Sequence, residues 1–576
     1  MQKSTLFYTT TMQRINIQMN QPWLRLPSLL QVFSLGVVLV VLLPLAYLII
    51  RAVGGGADSL EYLFRERTLT ITLNSVVLVV TVTLGAALIG VPFAWLTACT
   101  DLPLRRVWLV VGLLTMVVPT YLGSITFVAA FGPKGMLQGV LEVLVGVERL
   151  PDIRGWFGAW LSITLITYPY IVLPVRAALL NSDPALEEAA RSLSLSRWTV
   201  FRRVTLPQLR PALAGGMLLT ALYALSDFGA VSVMRYNAFT RAIYLQYNSS
   251  FNRERAAVLA LVLIVFTLVL IYLERRASAN KHNYRIGTGT RRPLKLVRLG
   301  RWKFPALIFC GTLVTIGVLV PAGVLLSWLT GRVMLDPVPV SMYELTMSTF
   351  TVSALAALVV AVVAVPLAVL ANRSKSNTDR WLVNLAYTGN VLPGIVIALA
   401  LVFFAANYLP MWYQTLPILI LGYATRFLPF SIGATRSALT QINPRLEEAA
   451  RCLGLKPWQV MLRITFPMAR AGILAGAALV FLSAMKELPT TLILSPLGMR
   501  TFATRIWSVY SEAMLVLVGG PGLLLMAVSA LGLVLILWRE KEGHTLSATW
   551  PAHQVVRRVR VRTTAIVLVC VKFLKL

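Results

Sequence analysis

Residues 441–470 read QINPRLEEAARCLGLKPWQVMLRITFPMAR, and residues 181–210 read NSDPALEEAARSLSLSRWTVFRRVTLPQLR. Laid together without a gap, at an offset of 260, they are identical at fifteen of thirty positions. Ordinary composition gives about two matches by chance. Leu186, Glu187, Glu188, Ala189, Ala190 and Arg191 match Leu446, Glu447, Glu448, Ala449, Ala450 and Arg451 one for one. A duplication is the economical explanation, and a repeat of this size sets the architecture before any single element is read.

Each copy carries the marks of a compact helix–turn–helix. Asp183 and Asn443 are good N-caps, and Pro184 and Pro444 suit the first helical position. The glutamates that follow fall near a helix start, where the dipole favours negative charge. Leu186, Ala189, Ala190 and Leu193 form one small apolar face. A break is expected at Leu195–Arg197 and again at Leu455–Pro457, with a second short helix starting at Trp198 or Trp458. Pro207 and Pro467 are expected to end that second helix just before the next apolar stretch. Taken singly, the glutamates could be plain caps and the tryptophans plain interface anchors. Recurrence of the whole loop asks for a shared role.

The chain around these loops has 576 residues, 57% hydrophobic and 13% charged, with a mean hydropathy of +0.75. Soluble domains carry ~25% charged residues, so this composition needs lipid to face. A crossing takes ~20 apolar residues, and twelve stretches qualify. In the first half they run 32–52, 69–98, 107–130, 157–180, 210–233 and 256–273. In the second they run 304–328, 347–371, 382–406, 415–438, 470–494 and 514–537. The expected fold class is an all-α membrane protein with about twelve transmembrane helices in two homologous six-helix bundles. A lead of 1–31 precedes a bundle of 32–274 with its loop at 183–207. A basic linker, 275–303, joins it to a bundle of 304–538 with its loop at 443–467. A basic tail, 539–576, follows; its apolar run Thr564–Val571 is too short to span and either lies on the membrane surface or pairs as a strand.

Lys and Arg number 53 against 22 Asp and Glu, a formal charge of +31. The chain lacks aromatic–basic single-strand platforms and zinc-finger spacing, so no nucleic-acid partner is expected. Basic residues gather instead in connections that fall on one side of the bilayer: Arg105 and Arg106, the linker, and Arg373, Lys375 and Arg380. The positive-inside rule makes that side cytoplasmic and puts both termini there. Lys134, Arg149, Arg253 and Arg255 run against the bias. No cleavable signal peptide is expected in the first thirty residues. The four cysteines have no CxxC spacing and the three histidines no cluster, so neither a disulfide framework nor a zinc site is expected.

Glu448-Ala449-Ala450, Gly454 four residues on, Ile464, and Pro467 thirteen beyond the glycine resemble the EAA loop of bacterial ABC importer permeases. The first copy departs once, with Ser194 where glycine is usual. The resemblance implies a type I ABC importer transmembrane fold, with each loop supplying a coupling helix that docks on a nucleotide-binding subunit. In the first loop the implied docking residues are Glu187, Glu188, Ala189, Ala190, Arg191, Ser194, Trp198 and Pro207. In the second they are Glu447, Glu448, Ala449, Ala450, Arg451, Gly454, Trp458 and Pro467. The chain has no Gly-Lys dipeptide, and so no Walker A loop to hold a nucleotide phosphate. No catalytic residue or bound cofactor is therefore expected here. ATP and Mg would be used by two copies of a cytoplasmic ATPase, one per loop, in the bacterial inner membrane.

The fused layout is most similar to the ferric-iron permeases, with thiamine and phosphonate permeases as relatives. Leu225–Val231 and Lys486–Thr491 resemble stretches of the ferric-iron branch. That resemblance implies Fe3+ as cargo and a periplasmic binding protein to deliver it. Asp227 and Glu487 share the offset of 260. Intramembrane carboxylates cost ~2.5–3.5 kcal/mol on insertion scales and commonly face a polar pathway or a partner. Hard cations prefer oxygen ligands, so both carboxylates, with Tyr223, are candidates to line the path. The competing reading has Glu487 neutralised by Lys486, and Asp227 bonded to Ser226 or to backbone at a helix break near Gly229. A secondary transporter is the more distant alternative. An intramembrane enzyme is disfavoured, since neither HExxH nor GxSxG occurs.

Overall fold

A computed structural model describes residues 27–54, 61–182, 190, 192–194, 196–248, 253–278, 296–335, 342–374, 376–390 and 392–546. Among these the regular structure is helical, with an isolated parallel bridge between Thr100 and Val297 as its β-type pairing. Eleven helices are long and apolar enough to cross a membrane, or twelve if Asn377–Gly389 and Gly394–Tyr408, bent by 97°, make one span. The chain divides into two compact units, Met1–Leu525 and Met526–Leu576. The second, as far as it is described, is the continuation of the Gly519–Leu546 helix.

Three helices form the heart of each half. In the second half Met342–Arg373, Leu416–Thr440 and Phe466–Met485 pack together; in the first, Glu66–Cys99, Pro169–Asn181 and Leu206–Ser226 do the same. The Glu66–Cys99 helix has 34 residues and Met342–Arg373 has 32. At 1.5 Å per residue each is about 50 Å long, more than the ~30 Å hydrocarbon thickness, so each must tilt or project.

The opening helix of each half reaches across to the other while also packing on its own, Pro27–Gly54 against Arg253–Ser278 and Val320–Leu335 against Leu515–Val518. Pro27–Gly54 packs on Met342–Arg373, Asn377–Ala386 and Gly394–Tyr408 of the other half, and Val320–Leu335 packs on Thr120–Phe131. Polar contacts fix the first crossing: Gln31 Nε2 donates to Asp379 Oδ1 at 2.8 Å, and Asn407 Nδ2 donates to Tyr47 Oη at 3.2 Å. Close approach fixes the second. A Cβ at Gly317 would stand 2.5 Å from Thr115 Cγ2, and small residues are what let helices meet in lipid.

Four spans differ from expectation, among them the ninth, where Asn377–Gly389 and Gly394–Tyr408 are bent by 97°. The third is not one helix over 107–130: Arg105–Leu113 passes into a 3-10 turn at Leu114–Val117, and a new helix runs Thr120–Phe131. Pro119 explains the break, because the residue before proline is pushed out of the α region, and Val118 is extended at φ −73°, ψ 114°. The fifth and eleventh spans stop at Ser226 and Met485, short of the expected 233 and 494.

The linker's far end is fastened rather than free. Residues 279–295 lie outside the described part, but Val297 N donates to Cys99 O at 2.8 Å and Asp101 N donates to Val297 O at 3.1 Å. Asp101 then receives the Leu299 amide at 2.8 Å and pairs with Lys303 at 2.9 Å. The Leu299 amide and the Lys303 ammonium hold the Asp101 carboxyl below its ordinary value. A depressed carboxylate contributes stability above its unfolded pKa and loses it as pH falls through the folded one. Asp101→Asn should therefore speed hydrogen exchange at the Leu299 amide, and acidification below the usual carboxylate range should do the same to the native protein. Unchanged exchange in the variant would mean that the bridge to Cys99 holds the segment alone.

Candidate functional site

The second loop folds as its sequence dictates. Asn443 Oδ1 accepts from Arg445 N at 3.0 Å, with Pro444 beginning the Pro444–Cys452 helix. The exit is a Schellman closure: Leu455 N donates to Ala450 O at 3.2 Å and Gly454 N to Arg451 O at 2.9 Å. Gly454 supplies the left-handed turn at φ +84°, and Ser194 adopts the same turn at φ +59°. The first loop thus reaches its geometry without glycine, at a steric cost of ~1–2 kcal/mol.

The paired glutamates diverge. Glu447 turns inward and is 6% exposed, its Oε1 receiving Arg373 Nη2 at 2.8 Å and Thr465 Oγ1 at 2.9 Å. Glu448 is exposed. The loop helix is therefore clamped through one glutamate to the end of Met342–Arg373 and to the start of the next span. The expected apolar face is largely open: Ala450 is buried, but Leu446, Ala449, Leu453 and Trp458 are exposed. Arg451 is half-buried and engaged in a contact of its own. Of the first loop, Glu187, Glu188, Ala189 and Arg191 lie outside the described residues, as does the Trp198 side chain. Ala190 is buried and Ser194 exposed.

Pro207 and Pro467 do not end a helix. Pro457–Val460 passes through a π turn at Met461–Thr465 straight into Phe466–Met485, and the first half repeats this with Phe201–Thr205 leading into Leu206–Ser226. A π turn skips the bond that a proline nitrogen cannot make, so the helix carries on. Trp458–Met485 is one rod of 28 residues, about 40 Å long.

That rod ends at a break, and there the intramembrane carboxylates sit. Asp227 Oδ2 accepts from Ala230 N at 2.8 Å, capping the short Gly229–Val233 helix, and Oδ1 accepts from Thr120 Oγ1 at 2.5 Å. Ser226 instead donates to Tyr223 O. Glu487 Oε1 accepts from Thr490 N at 3.3 Å and Thr490 Oγ1 at 2.7 Å, at the head of Pro489–Leu494. Its ion partner is Arg426 Nη1 at 2.7 Å, not Lys486. Lys486 Nζ reaches across to Met116 O of the first half at 3.0 Å. Asp227 and Glu487 are 6% and 7% exposed. Tyr223 stacks near Tyr170, their rings 5.7 Å apart.

The two halves solve the same problem differently. Counted from Pro119 and Pro393, Thr120 stands where Gly394 stands. In the first half the threonine hydroxyl satisfies Asp227. In the second, a Cβ at Gly394 would overlap the Arg426 guanidinium and crowd Glu487 and Thr490, so the missing side chain makes room for an arginine. Sequence reading missed Arg426, Thr120, Arg373 and Thr465. Arg426 carried a signal, a charge inside an apolar span; Thr120 and Thr465 carried none.

Arg426→Leu should destabilise the protein by roughly 3–5 kcal/mol, the scale for stranding one member of a buried pair. Adding Glu487→Gln should restore most of that loss. Thermal unfolding of the purified protein in detergent reads both, and equal loss in the single and double variants would deny the pairing. By the same measurement Ser194→Gly should stabilise by about 1 kcal/mol.

Residues 90–278 and 364–539 match the family described as binding-protein-dependent transport system inner membrane component. The chain is 31% identical over 476 residues to the Fe(3+)-transport system permease protein FbpB 2 of Haemophilus influenzae, spanning 82% of this chain and 90% of that one. It is 32% identical over 217 residues to a probable molybdenum ABC transporter permease of Haloferax volcanii, spanning 37% and 77%. Against the sulfate transport system permease protein CysW of Escherichia coli it is 26% identical over 261 residues, spanning 42% and 88%. With both matched stretches holding the same loop, rod and capped break, the chain belongs to the family of binding-protein-dependent transport system inner membrane components and carries its domain twice.

Proposed function

We propose that this chain forms the whole translocation path of an ABC importer for ferric iron, delivered by a periplasmic binding protein and driven by two copies of a cytoplasmic ATPase. The observation that carries the cargo is the extent of the likeness. The ferric-iron permease matches both fused copies, 82% of this chain and 90% of its own length, whereas the molybdenum and sulfate permeases, matched over 77% and 88% of theirs, cover the length of one copy. The doubled docking loop carries the partner number: two loops of one kind call for two ATPase copies. The loop face is assigned to the cytoplasm on the basic residues gathered there.

The coupling follows from the second loop's build. Glu448, with exposed Leu446, Leu453 and Trp458, meets the ATPase. Glu447 stays inside and binds the loop helix to its own bundle. When the two ATPase domains close, each loop moves as a unit, and the rod behind it carries the displacement about 40 Å to the break at Lys486–Leu488. A rigid element that is clamped at one end and broken at the other can pass on motion without dissipating it. Asp227, Glu487 and Tyr223 border the path at these breaks, and the first loop works in the same way through Glu188 and Trp198.

Co-purification with the ATPase tests this reading. Glu448→Lys should remove one ATPase copy per permease, and Glu188→Lys with Glu448→Lys should remove both and stop iron uptake into vesicles. Retention of both copies in the double variant, or uptake with no ATPase present, would sink it.

A further inference from the structure

The breaks at Val117–Thr120 and Lys486–Leu488 meet across the two halves, and they leave two donors without acceptors to match. An ammonium has three N–H groups. Lys486 uses one on the Met116 carbonyl, and no described carboxylate pairs with it. It is also only half-buried. Tyr121, one residue past the threonine that caps Asp227, is 2% exposed, and its hydroxyl has no hydrogen-bond partner among the described residues. A charged or polar group left so in lipid is costly and by default functional.

The carboxylates nearby show the opposite condition. Both oxygens of Asp227 already accept hydrogen bonds. Glu487 Oε1 accepts from Arg426 and twice from Thr490. Among the described residues no three His, Cys, Asp or Glu side chains form a group that could hold a metal ion. Asp227, Glu487, Arg426 and Lys486 sum to no net formal charge. A bare trivalent cation entering here would exchange its oxygen ligands for a fully bonded Asp227 and the one remaining oxygen of Glu487, and it would face an ammonium.

We propose that the cargo crosses between these breaks as a ferric complex that keeps its anionic oxygen ligands, with Lys486 and Tyr121 as the donors that receive them. This rests on the ferric-iron reading above and names the form in which the iron travels. No iron–oxygen bond has to break during passage.

The test uses the full chain with its ATPase and binding protein in vesicles. Radiolabelled iron is offered with radiolabelled citrate or phosphate as sole chelator. Anion entering with iron at a constant ratio supports the proposal; iron entering alone overturns it. Lys486→Gln should cut uptake of both labels roughly tenfold or more, the scale of losing one charge contact, and Lys486→Arg should restore it. Wild-type flux in Lys486→Gln would remove the lysine's role. Should that variant fail to assemble, Tyr121→Phe decides, since it deletes a hydroxyl with no hydrogen-bond partner among the described residues; its expected effect is again a loss of about tenfold, and unchanged flux overturns the pair. Anion uptake without iron would end the ferric reading and leave the donor pair standing, so the two claims fail separately.

Discussion

Backbone groups released by a broken helix find no water inside a bilayer, and every other feature of this interior answers to that fact. Four breaks occur, two before the helices that start at Thr120 and Gly394, and two at the ends of the rods that stop at Ser226 and Met485. Each rod end places a carboxylate over the amides of the short helix that follows, so the same residue supplies an acceptor and complements the helix dipole. The carboxylate then needs a donor of its own. Thr120 serves in one half, and Arg426, admitted by Gly394, serves in the other. Asp227 and Glu487 therefore have structural partners within the fold.

Much of the docking loop was legible because its determinants are local. Asn443, Pro444 and Gly454 act within a few residues of themselves, and the cap, first turn and exit follow directly. The failures came where partners are remote or where a local rule has an escape. Lys486 was read as the partner of Glu487 because the two are adjacent, yet neighbours in sequence at a helix end point apart; the true partners lie 61 and 370 residues away. Proline was read as a stop at 207 and 467, and the π turn ahead of each let the helix continue. Pro119, inside an apolar run, was passed over although it breaks the third span. The carboxylates themselves were visible as misfits in apolar stretches, while the hydroxyls that satisfy them look like any other.

The long helices that precede the duplicated loops end differently. Glu447 is held by Arg373 at the end of its own long helix. Counted from Pro92 and Pro366, Cys99 occupies the place of Arg373, and the end of that helix is engaged instead by the linker through Val297, Leu299 and Lys303. A left-handed serine in one turn and a glycine in the other add to the difference. Two loops built on one plan thus follow long helices that end in different contacts.

The crossed opening helices set an order of assembly. Gln31 and Tyr47 find their polar partners at Asp379 and Asn407, 348 and 360 residues further along the chain. At ~5–20 residues per second of synthesis, the first helix made waits roughly 20–70 s for these polar partners, although its packing surface on Arg253–Ser278 is made sooner. Two separate subunits would have to meet by diffusion in the membrane to exchange these helices. A single polypeptide holds the waiting helix at high effective concentration until its site exists. Fusion, on this view, is a kinetic device: the earliest segment to enter the membrane meets its remote partners last, and the linker ensures that it is still there.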